Sequence, residues 1–357
     1  MSSVSAVATG PASSPFLAAC RGEPHDRVPV WFMRQAGRSL PEYRARRGKG
    51  SILETIRQPD LAAELTLQPV HRYGVDAAIL YSDIVVPVAA VGFGVDVTPG
   101  TGPVVAEPFR SAGDLDRLRP LDPDTDTPYV LETIDRLVEQ LEPRGTPLIG
   151  FAGGPFTVAS YLIEGRPSRT YAHTKTLMFS DPALFDRLLE RLADMAIASL
   201  RSQVEHGTAA VQVFDSWAGA LSPADYRRHV LPASRRLFDG IADLDVPRIH
   251  FGVDTGELLG LFVEAGADVV GVDWRTPLSA ARHRLGDRIA LQGNLDPAAC
   301  LAPPEVVDGK VREVLAESGG HPAYIFNLGH GVLPSTDPAV LERVVALVHA
   351  EGKVGSP

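Results

Sequence analysis

Eight short apolar runs, each followed by a polar or glycine-rich turn and then an amphipathic stretch, predict an α/β chain folded as a single (β/α)8 TIM barrel. The runs are mostly apolar, as strands of a parallel sheet covered on both faces are, and their number, eight with helices between, favours the barrel over a doubly wound sheet. The first is followed by Arg34-Gln35-Ala36-Gly37-Arg38, with no G-x-G-x-x-G turn to open a dinucleotide-binding unit.

The runs are Val28–Met33, Ala77–Tyr81, Pro147–Phe151, Ala210–Phe214, Arg248–Gly252, Asp268–Val272, Arg288–Gln292 and Tyr324–Leu328. Between them lie helices with legible starts. Asp181 before Pro182 opens one whose Leu184, Leu188, Leu192 and Met195 share a face, and Gly207 closes it. Asp126-Thr127-Pro128 opens another with Val130, Ile134, Leu137 and Leu141 as its stripe. Ser222–Pro223, Thr276–Pro277 and Asp337–Pro338 repeat the cap-then-proline signature. From Val91 to Glu107 two strand-like pieces flank Pro99-Gly100-Thr101-Gly102-Pro103, which predicts a hairpin inserted after the second strand. Residues 1–14 are expected to be a disordered tail, 15–350 the barrel and 351–357 a short C-terminal tail.

The 357 residues are 45% hydrophobic and carry a formal charge of −10, which argues against disorder and against non-specific nucleic-acid binding. No apolar run approaches the ~20 residues of a membrane span. Two cysteines, Cys20 and Cys300, exclude a disulfide framework, and the first residues lack the features of a secretory signal, so a cytoplasmic location is expected. Only four of the 34 basic residues are lysine. Arginine suits bidentate capture of carboxylate or phosphate, but a coding bias toward arginine gives the same count. Position has to separate the two.

In a barrel the chemistry sits where the strands end. There the chain places Arg34 and Arg38, Asp83, Asp215 and Ser216, Asp254, Asp273, Asn294 and His330; Tyr161 follows the glycine-rich turn after the third strand. Arg34 and Arg38 lie beyond a buried strand, where no solvated helix face is open to them, and predict an anion site for an acidic substrate with several carboxylates or phosphates. Asp83 abuts an apolar wall, either paired with an arginine or acting as a fixed negative charge toward a cation. His330, between two glycines, is either a proton carrier or a packed turn residue. No H-e-x-x-H or C-x-x-C metal pattern and no G-x-S-x-G elbow is present.

PVWFMRQAGRSLPEYR (29–44) and GFAGGPFTVASYLIEG (150–165) resemble the two signatures of the uroporphyrinogen decarboxylase family. AAILYSDI, FDSWAG, LQGNLDP and NLGHGVLP resemble its strand-end segments, so the likeness runs from Pro29 to Pro334. Ser39 and Gly154 are small departures from it. The resemblance implies a cytosolic homodimer that uses no metal or organic cofactor. It implies decarboxylation of the four acetates of uroporphyrinogen III to give coproporphyrinogen III. It further implies that Asp83 accepts the pyrrole N–H groups, that Arg34 is the favoured proton donor with His330 or water competing, and that Arg34 and Arg38 orient the carboxylates. Tyr161, Phe214, Ser216 and His330 are then substrate contacts, Arg47 adds charge, and Gln35, Ala36 and Gly37 supply backbone and amide donors. A corrinoid-linked methyltransferase of the same barrel is the rival. It needs a His-x-Cys pair after the fifth strand, where this chain reads His250-Phe251-Gly252.

Overall fold

A computed structural model describes residues 14–48, 50–98 and 102–355. Its centre is one curled sheet of seven parallel strands: β1 (Ala78–Ile79), β4 (Leu148–Gly153), β5 (Ala210–Phe214), β6 (Arg248–Phe251), β7 (Val269–Gly271), β8 (Ala290–Leu295) and β9 (Tyr324–Leu328). Strands next to each other in this sheet follow one another along the chain, each crossing carried by helices on the outside. Seven of the eight predicted runs are therefore strands, displaced by up to three residues at their ends.

The first run, Val28–Met33, is a correction. It is buried throughout yet contributes a single parallel bridge, Val30 to Phe326, and no ladder. Side chains take the amides a ladder would use. Val30 N–H donates to the Asp76 carboxylate at 2.8 Å, Phe32 N–H to Gln35 Oε1 at 3.1 Å, and Met33 N–H to Asn327 Oδ1 at 3.1 Å. Pro29 has no N–H to offer. On its other side Val30 accepts from Asp76 N–H at 2.8 Å, so the run lies between the β1 and β9 edges.

Strands β2 (Val95–Thr98) and β3 (Gly102–Val105) pair antiparallel, with Val95 opposite Val105 and Thr98 opposite Gly102. The turn residues 99–101 expected between them lie outside the described residues, as do 1–13 of the expected N-terminal tail and 356–357. The C-terminal stretch from 351 differs from expectation. Gly352 O accepts from Val28 N–H at 2.7 Å, Lys353 bridges Arg27, and Gly355 N–H donates to Gly320 O at 2.9 Å. These bonds satisfy backbone groups at the start of the first run, so the segment through 355 packs against the N-terminal side of that run.

The helices follow their caps. Asp181 Oδ1 accepts from Leu184 N–H at 3.0 Å, and the helix Pro182–Glu205 buries Leu184, Leu188, Leu192 and Met195. Asp337 Oδ1 accepts from Ala339 N–H at 2.9 Å to open Pro338–Glu351. Inside the sheet a chain of polar side chains crosses the interior: Trp31 Nε1 donates to Gln292 Oε1 and Gln292 Nε2 to Gln212 Oε1, both at 3.0 Å. A filled interior leaves the strand ends as the place for a ligand.

Candidate active site

Arg34 leaves the first run with φ +59°, a left-handed conformation unusual for a residue with a side chain. The bend is held from both sides. Met33 is tied to Asn327, and the fully buried Gln35 accepts from Phe32 N–H and donates its Nε2 to Ala77 O at 3.2 Å. Such over-determination is what keeps a strained residue in place. The Gln35 amide thus bonds to the scaffold, and its N–H donates to Phe32 O at 3.1 Å. Ala36 and Gly37 remain partly exposed at the turn.

The Arg34 stem lies on Gly331. A Cβ at that glycine would stand 2.7 Å from Arg34 Cγ and nearer still to Cδ. Gly331→Ala is expected to displace the guanidinium and cut kcat/KM about ten- to hundredfold. Thermal melting should shift by only a few degrees, because a mobile side chain is what yields. Steady-state kinetics beside a melting curve checks it.

Asp83 follows β1 and faces the mouth. Its Oδ1 accepts from Val85 N–H at 3.1 Å. Desolvation raises its carboxyl above the ordinary range, opposed by the Val85 N–H and the positive charge of Arg34. Tyr161, on the helix Pro155–Glu164, is close enough that burial and Asp83 together push its hydroxyl well up, with Arg34 acting the other way. Arg34, Asp83 and Tyr161 are therefore one electrostatic group. Tyr161 packs on Trp217 at a ring separation of 3.8 Å, and Tyr171, also at positive φ, lies 5.1 Å beyond. Trp217 is held from behind. Its N–H donates to Thr157 Oγ1 at 3.1 Å, whose hydroxyl donates to the buried Asp215 at 2.7 Å. Ser216, between Asp215 and Trp217, is partly exposed.

His330 follows β9. Burial, Arg34 and Arg275 lower its imidazole to about 4, against the pull of Asp273. Its ring is 6.2 Å from Phe251, which meets Phe214, which in turn meets Phe151 at 5.4 Å, giving an apolar arc across three strand ends. Of the arginines after the first run, Arg44 caps the carbonyls of Arg38 and Ser39, and Arg46 pairs with Glu64 at 2.6 Å. Arg47 donates to Gly50 O at 2.7 Å and sits near the Tyr81 hydroxyl, itself 2.9 Å from Tyr43. Among the described residues, the guanidiniums of Arg34 and Arg38 are exposed and have no protein partner. Arg46, Arg201, Arg236 and Arg312 sit on exposed carboxylates, whereas among the described residues Arg187 and Arg228 are exposed without a partner as well, so what marks Arg34 is its place beside Asp83.

Sequence reasoning missed Trp217, Thr157 and Arg275. Trp217 and Arg275 each stand two residues past a strand-end aspartate, which was the available signal. Two clefts lie elsewhere, one of about 570 Å³ between the helices Pro59–Tyr73 and Pro128–Leu141 and one of about 550 Å³ at the floor around Cys20 and Arg248. Neither gathers unpaired cations around a desolvated carboxylate. Among the described residues, no three His, Cys, Asp or Glu side chains are placed to hold a metal, and no helix is long and apolar enough to cross a membrane.

The uroporphyrinogen decarboxylase (URO-D) family profile matches residues 11–351. The chain is 60% identical over 339 residues to the uroporphyrinogen decarboxylase of Salinispora tropica, covering 95% of this chain and 91% of that one. It is 60% identical over 338 residues to that of Streptomyces coelicolor, covering 95% and 94%. Among solved structures, a methyltransferase from Methanosarcina mazei superposes with a TM-score of 0.75 at 20% identity, covering 94% of this chain and 97% of that one. At that identity the likeness speaks for the fold alone. With a family profile spanning nearly every residue and relatives at this identity, the chain belongs to the uroporphyrinogen decarboxylase family.

Proposed function

We propose that this chain decarboxylates the four acetate side chains of uroporphyrinogen III, giving coproporphyrinogen III in porphyrin biosynthesis, at the mouth formed by Arg34, Arg38, Asp83, Tyr161, Phe214, Ser216 and His330. The observation that carries it is the unpartnered Arg34 beside the desolvated Asp83, with Arg38 exposed on the same turn. The substrate presents eight carboxylates outward and four pyrrole N–H groups inward, so the two halves of the site match its two halves.

The chemistry needs an electron sink. A proton added to a ring carbon next to the acetate-bearing position makes the pyrrole cationic. The C–C bond to the carboxylate then breaks, carbon dioxide leaves, and the electron pair moves into the ring to give an exocyclic methylene. Protonation of that methylene and loss of the ring-carbon proton restore the pyrrole with a methyl group, one proton being consumed for each carbon dioxide released. Asp83 stabilises the cationic state more than the neutral one, and its four N–H donors favour the anion that does so. Arg34 and Arg38 orient acetates and propionates, and Arg47 adds positive charge at the rim. The apolar arc of Phe214 and its neighbours excludes water beneath the macrocycle.

The proton source is narrowed by His330. At pH 7 an imidazole held at about 4 is protonated in roughly one molecule in a thousand, so it serves as an N–H donor. Following the His330 ring by NMR, the titration midpoint is expected near 4 in the free chain and higher in Arg34→Ala. Because the folded midpoint lies below the unfolded one near 6.5, His330 makes the fold lose stability as pH falls through that window. A midpoint at or above 6.5 would overturn this.

The same reading takes Val28–Met33 as the eighth stave of a closed (β/α)8 barrel, β2 and β3 as an inserted hairpin, and residues 15–350 as one domain. It extends to a cytoplasmic homodimer, which sedimentation of the purified chain tests. The decisive assay incubates the chain anaerobically with uroporphyrinogen III and separates the oxidised products by carboxylate number. A folded chain that leaves only octacarboxylate sinks the proposal.

A further inference from the structure

Strand β7 runs through Val272 into the turn Asp273-Trp274-Arg275, and this turn is built as a rigid mount. Asn294 Nδ2 donates to Asp273 O at 3.0 Å and to Thr276 O at 2.7 Å. The Asp273 carboxylate, 1% exposed, accepts from Asp254 N–H at 2.7 Å, Arg275 N–H at 3.2 Å and Arg275 Nη1 at 2.6 Å. The Arg275 guanidinium also lies 4.1 Å over the Trp274 ring. Two contacts thus fix a long side chain that is still 45% exposed. Among the described residues its Nη2 has no partner.

The mount abuts the His330 loop. A Cβ at Gly329 would lie 3.1 Å from both Asp273 C and Trp274 Cβ, so only glycine lets the two turns meet. Arg34 rests on Gly331 at the other end of the same Gly-His-Gly triplet. His330 is therefore bracketed by two arginines, and both lower its basicity.

We propose that Arg275 is a third arginine of the mouth, binding one carboxylate of the tetrapyrrole at the rim beside His330. This rests on the function proposed above. Asp254 is its built-in competitor: 70% exposed, it holds Oδ1 3.9 Å from Arg275 Nε, a loose contact that an incoming carboxylate displaces. Arg275 then sets affinity rather than chemistry, because its fork meets a side chain remote from the reacting pyrrole.

The two neighbours give opposite expectations. Arg275→Met should raise KM for uroporphyrinogen III about tenfold with kcat within about twofold, the signature of lost uniform binding. Asp254→Asn should lower KM about two- to threefold, since the competing charge is gone. Asp254 has φ +59°, which asparagine tolerates, so this variant keeps its backbone. A merely structural role for Arg275 gives no reason for Asp254→Asn to tighten binding. Should Arg275→Met, which strips buried Asp273 of its cation, fail to fold, Asp254→Asn decides alone. An unchanged KM in every variant that folds overturns the inference while the parent remains active. A parent that leaves uroporphyrinogen III untouched overturns the function on which it rests, and the inference with it.

Discussion

Asp83→Asn is expected to lower kcat on uroporphyrinogen III by about a thousandfold while leaving the melting temperature unchanged or slightly raised. The two effects have one origin. The carboxyl sits where burial disfavours its charge, compensated only by the Val85 N–H and by Arg34. An amide of the same shape removes that cost and still presents an oxygen to Val85, so the fold loses nothing. On the proposed mechanism, what disappears is the negative charge opposite a ring that becomes cationic in the transition state. Because the amide also accepts the pyrrole N–H groups less well, KM should rise as well, though by less than kcat falls. Single-turnover kinetics with a melting curve reads both numbers. Near-normal turnover would remove Asp83 from the catalytic role and leave it a structural acid.

Arg34→Ala comes next, with kcat/KM expected to fall about a hundredfold or more and stability unchanged. Among the described residues the guanidinium has no protein partner, so the fold loses no ion pair or hydrogen bond, only the packing of the stem on Gly331. Arg34→Gly is the informative companion, since glycine adopts φ +59° freely and should melt at or above the parent temperature while remaining as inactive. Arg201→Ala gives the contrast. That arginine forms a bidentate pair with exposed Asp243, at 2.5 and 2.8 Å, and its loss should change kcat/KM by less than about twofold. Equal effects at 34 and 201 would return the arginine excess to coding bias.

The candidate site was legible to the extent that strand ends were. Arg34, Asp83, Ser216 and His330 each follow an apolar run within a few residues, and a barrel brings such positions to one face whatever the loops do. Gln35, a polar residue in a turn between two arginines, reads in the sequence as a ligand contact. Its side chain turns inward to supply the bonds that the first run lacks. Arg44 and Arg46 read like Arg38 in sequence, but their partners are set by helix geometry: one reaches back to two carbonyls, the other across to Glu64 eighteen residues on.

By itself the sequence determined the alternation of buried strands and capped helices, and with it which residues stand at the strand ends. Period, caps and apolar runs are local properties, so they are written locally. Only the tertiary structure decided which of those charges are free and which are spent. Arg275 gains its place beside His330 through Gly329, more than fifty residues away in the chain, and Arg34 is aimed by Gly331, nearly three hundred away. Contacts at such separation come from the curling of the sheet, and no spacing along the chain encodes them.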